Sequence, residues 1–171
     1  MLNYFFELLP RFDQLVAPLS WAGLASTFIG GGIIGLERQL CGKPAGIRTS
    51  TLICMGTYIF VVTGSSVAGL NGDPSRVIGQ VVTGIGFLGA GVILTREGVV
   101  LGVTSAATIW VLASIGVLAG AQRYASAIIM ALLTVGILVG VNLLETAFSG
   151  LQRGVHARIR GLRRRIDDNG Q

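Results

Sequence analysis

Arg76, Gln80, Thr83 and Phe87 recur at steps of four, three and four residues. That spacing puts them on one face of a helix. The segment that holds them, RVIGQVVTGIGFLGAGVIL, is otherwise apolar. Polar and charged groups are costly in hydrocarbon, so an arginine and a glutamine here need a reason. Lining a cavity is one reason and binding a partner helix is another. Asp73, three residues before Arg76, is placed to neutralise it. Thr104, Ser105 and Thr108, with Trp110 near them, and Asn142 with Glu145 just beyond, extend this polar set into two later segments. For the hydroxyls, hydrogen bonds to their own helix or to a neighbouring one are reason enough.

A second cluster lies in GLERQLCGKPAGIRTST. Glu37 and Arg38 end one apolar segment; Arg48 and Thr49 begin the next. Gly42, Pro44 and Gly46 force a turned connection between them. Such a turn can return Arg48 to Glu37 as an ion pair, and Thr49, Ser50 and Thr51 are all candidate N-caps. A solvated basic loop accounts for Arg38, Lys43 and Arg48 equally well, but leaves Glu37 unexplained.

Other chemistries find little support. Gly84-Ile85-Gly86-Phe87-Leu88-Gly89 matches a dinucleotide-binding pattern, but it lies inside an apolar segment. The acidic residue that the pattern requires about 20 positions later is replaced by Ile109. Two cysteines and one histidine, His156, make no metal signature. No nucleophile–base pair is visible, so neither catalysis nor a cofactor is expected, and any metal is left unknown.

The elements that must position these groups are five nearly charge-free stretches: Ala17–Leu36, Thr51–Leu70, Val77–Leu94, Leu101–Ala119 and Tyr124–Leu144. About 20 helical residues cross the roughly 30 Å hydrocarbon core. Only 12% of the residues are charged, against about 25% in soluble domains, and mean hydropathy is +0.72. An all-α, polytopic membrane helix bundle with about five transmembrane helices follows. Glycine is the packing residue of such bundles because it lets backbones approach. Gly23, Thr27, Gly31 and Gly35 form a small-residue stripe. Gly84, Gly86, Gly89, Gly91, Gly116 and Gly120 are expected at helix crossings, as are Gly136 and Gly140.

Basic residues set the orientation. Arg38, Lys43, Arg48, Arg96 and six tail arginines fall on one side; Arg11, Arg76 and Arg123 fall on the other. The amino terminus is therefore expected outside and the carboxyl terminus in the cytoplasm. Cys41 and Cys54 lie on or near the reducing side, so no disulfide is expected. Residues 1–16 lack a basic region before the apolar run and carry Glu7 and Asp13, unlike a cleavable signal. Leu2, Phe5, Leu9, Phe12 and Val16 suit a short interfacial helix or a frayed end. Residues 17–146 make the transmembrane domain and residues 147–171 a basic cytoplasmic tail. In that tail Leu151, Val155, Ile159, Leu162 and Ile166 form an apolar stripe among six arginines. This basic amphipathic helix suits anionic lipid. Nucleic acid is not an expected partner, because the chain is membrane-tethered and offers no base-reading element.

The order GLERQ, K-P-AGIRT, DPSR-V-I-GQVVTGIGFLGAGVIL, G-V-TSAATIW and IGVLAG closely resembles the MgtC/SapB membrane-protein family over about residues 20–145. The resemblance implies a bacterial inner-membrane protein of four or five helices. It further implies links to growth in low magnesium, survival of intracellular pathogens and restraint of the rotary ATP synthase, without magnesium transport by the members themselves. Family motif positions match Glu37, Arg38, Arg48, Thr49, Asp73, Arg76, Gln80, Thr83, Gly84, Gly86, Phe87, Gly89, Gly91, Thr104, Ala106, Ala107 and Trp110. Ser105 is a mild departure from the family's usual threonine. The chain resembles short members that lack the cytoplasmic domain of virulence-type relatives. The expected role is a non-catalytic regulator that binds another membrane protein, or a second copy of itself, through its glycine faces. A small ion or solute carrier, with Arg76, Gln80 and Thr83 lining a path, is the alternative.

Overall fold

The computed structural model describes residues 14–69, 73–96 and 99–147. Five helices dominate: α1 (Trp21–Leu40), α2 (Ile47–Ala68), α3 (Pro74–Gly91), α4 (Val103–Gly120) and α5 (Tyr124–Ala147). The all-α bundle read from the sequence is the fold. Three helices are long and apolar enough to cross a membrane: α2, α4 and α5 up to Leu144. α1 and α3, of 20 and 18 residues, match them in length. Their glycines, with Glu37 and Arg38 in α1 and Arg76 and Gln80 in α3, dilute the hydropathy. The proposed interfacial helix lies mostly outside the described residues, of which 14–16 are helical. The basic tail helix, drawn over 147–171, lies outside them from residue 148 onward.

Local chemistry sets the helix ends. Ser20 caps α1, its hydroxyl accepting from the Gly23 N–H, so the helix starts four residues later than hydropathy suggests. α1 closes in a Schellman turn: the Gly42 N–H donates to Gln39 O and the Lys43 N–H to Arg38 O, at 3.1 and 2.9 Å. Gly42 takes the left-handed conformation that this turn needs. α2 starts at Ile47 with Gly46 as cap, ahead of the expected Thr49–Thr51. Ser50 instead donates to Ala45 O at 2.7 Å. Asp73 caps α3, with Pro74 in its first turn. Between α3 and α4 lies a small antiparallel hairpin of β1 (Leu94–Arg96) and β2 (Val99–Leu101), with Leu94 opposite Leu101. The apolar stretches Val77–Leu94 and Leu101–Ala119 leave only residues 95–100 between them, and the hairpin takes Leu94 and Leu101 out of the helices.

Glycine contacts fix the helix arrangement. A Cβ added at Gly31 would meet Thr51, and one at Gly35 would lie 2.5 Å from the Ile47 Cα. Gly23 abuts the Tyr58 ring. α1 and α2 thus run antiparallel with backbones almost touching. Gly116 packs on Cys54 and Thr57, and Gly120 on Val61, so α4 runs parallel to α2. Gly30 meets Ile115 of α4 and Ala131 of α5. Ile34, Ile53, Cys54, Ile109, Leu112 and Ile115 fill the space between. Both cysteines are free thiols. Cys54 Sγ donates to Leu112 O at 3.2 Å, across the α2–α4 contact. α5 turns Ile129, Leu132, Leu133, Ile137, Leu143 and Leu144 outward, as a lipid-facing helix requires.

Candidate functional site

Two places gather the residues singled out above. The first is the end of α1. Glu37 and Arg38 are both buried, at 7% and 3% exposure. They form a bidentate pair: Arg38 Nη2 donates to Glu37 Oε1 at 2.7 Å, and Arg38 Nε to Glu37 Oε2. Adjacent residues point apart on a helix, so the long arginine side chain must wrap back to reach its neighbour. Cys41 Sγ, one turn on, also donates to Glu37 Oε1, at 3.4 Å, and this contact pushes the Cys41 thiol above its ordinary pKa. The expected partner of Glu37 was Arg48. It is not: Arg48 and Thr49 are exposed on the first turn of α2. The connection packs the α2 backbone on Gly35, which turns Arg48 outward and leaves Arg38 to neutralise the carboxylate.

The second place is α3. Of its 18 residues, Ile85 and Gly89 are buried. Arg76, Gln80, Thr83 and Phe87 are exposed, on roughly the opposite side of the helix. They face away from the chain's own core. Thr83 Oγ1 is occupied by Gly79 O, at 2.9 Å. Asp73 does not form an ion pair with Arg76. Its carboxylate accepts from the Ser75 N–H and Oγ at 2.9 and 2.8 Å, which holds it below the usual carboxylate range. Capping α3 competes with pairing, and the cap wins.

The α3 glycines also depart from expectation. A Cβ at Gly84, Gly86 or Gly91 would meet nothing within 4 Å, and Gly89 makes only an ordinary contact with Ala106. They are small residues without a crossing partner among the described residues. Gly136 and Gly140 are likewise open, whereas Gly116 and Gly120 pack as expected. Thr104 and Trp110 are exposed on α4, and Thr104 O accepts from Thr108 Oγ1 at 2.8 Å. A groove of about 460 Å3 runs between α2 and α3, with Thr57 and Phe60 on one wall and Gln80, Gly84 and Leu88 on the other. Among the described residues no three His, Cys, Asp or Glu side chains gather to hold a metal.

One hydroxyl network escaped the sequence reading. Tyr58, 1% exposed, accepts from the Ser20 N–H at 2.7 Å, and Ser20 Oγ lies 2.9 Å from the Tyr124 hydroxyl. These partners are 38 and 104 residues apart, so no local spacing announces them.

The model of the MgtC family matches residues 24–147. The chain belongs to the MgtC family. Protein MgtC of Brucella abortus is 50% identical over 100 residues, covering 58% of this chain and 42% of that protein. A protein of Escherichia coli K12 named putative magnesium transporter YhiD is 47% identical over 100 residues, covering 54% and 46%. An uncharacterised protein of Haemophilus influenzae is 39% identical over 137 residues, covering 75% and 55%. The chain spans about half the length of these relatives. No solved structure matches it.

Proposed function

We propose that this MgtC-family membrane protein is a non-catalytic regulator, acting by docking α3 against a transmembrane helix of another membrane protein. The observation that carries this reading is the outward face of α3. Gly86 and Gly91 are open, and Arg76, Gln80 and Thr83 are exposed between them around the helix, whereas Gly84 lines the groove towards α2. Small residues in a membrane helix let a second backbone approach, and polar groups there hydrogen-bond across the contact. Left against lipid, Arg76 and Gln80 are unfavourable, while the Thr83 hydroxyl is already bonded to Gly79 O. The name of the Escherichia coli K12 relative points to magnesium, and the family resemblance points to stress adaptation and to the ATP synthase as a candidate partner.

Photo-crosslinking from Thr83 in native membranes tests this. A heteromeric adduct is expected, lost in Gly86→Leu and in Arg76→Ala at unchanged membrane abundance. Adducts of the chain with itself alone would replace the regulator with a homo-oligomer. The groove reaching Gln80 favours the carrier as a second reading. On that reading Gln80→Leu puts an apolar plug in the path and abolishes ion flux in proteoliposomes. Wild-type flux in that variant removes the carrier.

We further propose a bacterial inner-membrane location, with the Glu37–Arg38 end of the bundle and the basic tail in the cytoplasm, where the tail contacts anionic lipid. Reporter fusions after Gln171 should be active only as cytoplasmic reporters. Activity confined to the outer side would reverse the topology.

A further inference from the structure

At the end of the bundle opposite Glu37 and Arg38, a cavity of about 330 Å3 opens where the starts of α1 and α5 meet the second half of α2. Its polar lining is Ser20, Tyr58, Ser65, Ser66, Gln122 and Tyr124. Ser20 bonds both Tyr58 and Tyr124 and so ties these three lining residues together. Ser65, Ser66 and Gln122 hydrogen-bond no described residue through their side chains, and they surround the same space.

Gln122 carries the argument furthest. α4 closes in the same Schellman turn as α1: the Gln122 N–H donates to Ala119 O and the Arg123 N–H to Leu118 O, at 3.0 and 2.8 Å. The α1 turn has Gly42 at its left-handed position, as such turns usually do. The α4 turn has Gln122 there, with φ +60. A side chain in that conformation is disfavoured, and glycine would relieve it. The strain is kept, and the amide it carries lines the cavity. Ala45, with φ +63, shows that such strain also occurs away from this cavity; at Gln122 it coincides with a side chain that lines the cavity.

The lining defines the ligand. Among the described residues it contains no charged residue; Arg123, next in sequence, does not line it. An ammonium or phosphate group would find no counter-charge among them. Serine and tyrosine hydroxyls and a glutamine amide each donate and accept. Ligand hydroxyls do the same, and the tyrosine rings with Val62 and Pro18 offer apolar surface for C–H faces. The volume suits a small ligand. We propose that this cavity binds a neutral polyhydroxy group of monosaccharide size, either a free sugar or the headgroup of a glycolipid. The site is separate from the α3 face and stands without the regulator reading.

The test uses the full chain in phosphatidylcholine nanodiscs. Methyl β-glucoside is followed by saturation-transfer NMR, and retention of a monoglucosyl diacylglycerol by native mass spectrometry. The wild type should bind at least one probe. The free glucoside alone sufficing identifies a soluble ligand; retention of the glycolipid only identifies a lipid. Gln122→Gly should weaken binding at least tenfold while its thermal midpoint holds or rises. Ser66→Leu, at an exposed position, should weaken it similarly. Wild-type binding in Gln122→Gly, or binding of neither probe by the wild type, overturns the proposal. A lower midpoint in Gln122→Gly would show the side chain to be held for packing and would overturn it too.

Discussion

Arg38→Met is expected to destabilise the bundle by about 3–5 kcal/mol, because it strands the Glu37 carboxylate without its counter-ion. Glu37→Gln should cost a comparable amount by stranding the guanidinium. Both side chains are buried, and each supplies two atoms to the pair. Charges held this way have given up their water, and only the partner compensates for it. The double variant Glu37→Gln/Arg38→Met should recover most of the loss, since neither charge then remains. Equilibrium unfolding in mixed micelles gives all four corners of this cycle. Strict additivity would show that the two residues do not stabilise each other. A parallel cycle of Glu37→Gln with Arg48→Gln should be additive, because Arg48 is exposed and Glu37 is already paired.

That contrast shows where the sequence ran out. Charge and turn residues between positions 37 and 48 announced a pair at the end of α1, and Glu37 is paired. They did not say with which arginine. Three cations lie within 11 residues of Glu37, and the choice depends on how α2 leaves the turn. The backbone of α2 lands on Gly35, and this aims Arg48 outward. Similarly, Asp73 and Arg76 were close enough to pair, but Ser75 offered the carboxylate two hydrogen bonds and a helix to cap.

Helix number and approximate position were legible because hydrocarbon thickness imposes length and apolarity at once. The Gly31–Gly35 and Gly116–Gly120 contacts were legible from spacing. The α3 glycines show the limit of that signal. Small residues at regular intervals state that a backbone can approach, not that one does. The hairpin between α3 and α4 went unseen because its strands have only three residues each, too few for a period to register. The Ser20–Tyr58–Tyr124 network is a product of helix arrangement alone.

The difference between the glycine sets yields the second large expected effect. Gly35→Ala should destabilise the bundle by about 1–3 kcal/mol, because the added methyl would meet the Ile47 backbone at 2.5 Å. A side chain in that position could swing aside; a main chain can give way only if α2 moves as a body. Gly31→Ala should behave alike, with Thr51 Cα 2.7 Å away. Gly86→Ala should do the opposite. Its methyl meets nothing within 4 Å, and alanine is the better helix former by about 1 kcal/mol. Gly86→Ala should therefore melt at or above the wild type, and Gly86→Leu close to it. Thermal unfolding in one detergent ranks the variants. If Gly86→Ala falls as far as Gly35→Ala, α3 is already covered within the isolated protein, and its glycines are not free to receive a partner. If Gly86→Leu keeps its stability and loses the Thr83 crosslink, packing inside the chain and recognition outside it are carried by separate glycines. The α1 stripe then holds the bundle together, while α3 keeps its smooth face for another helix.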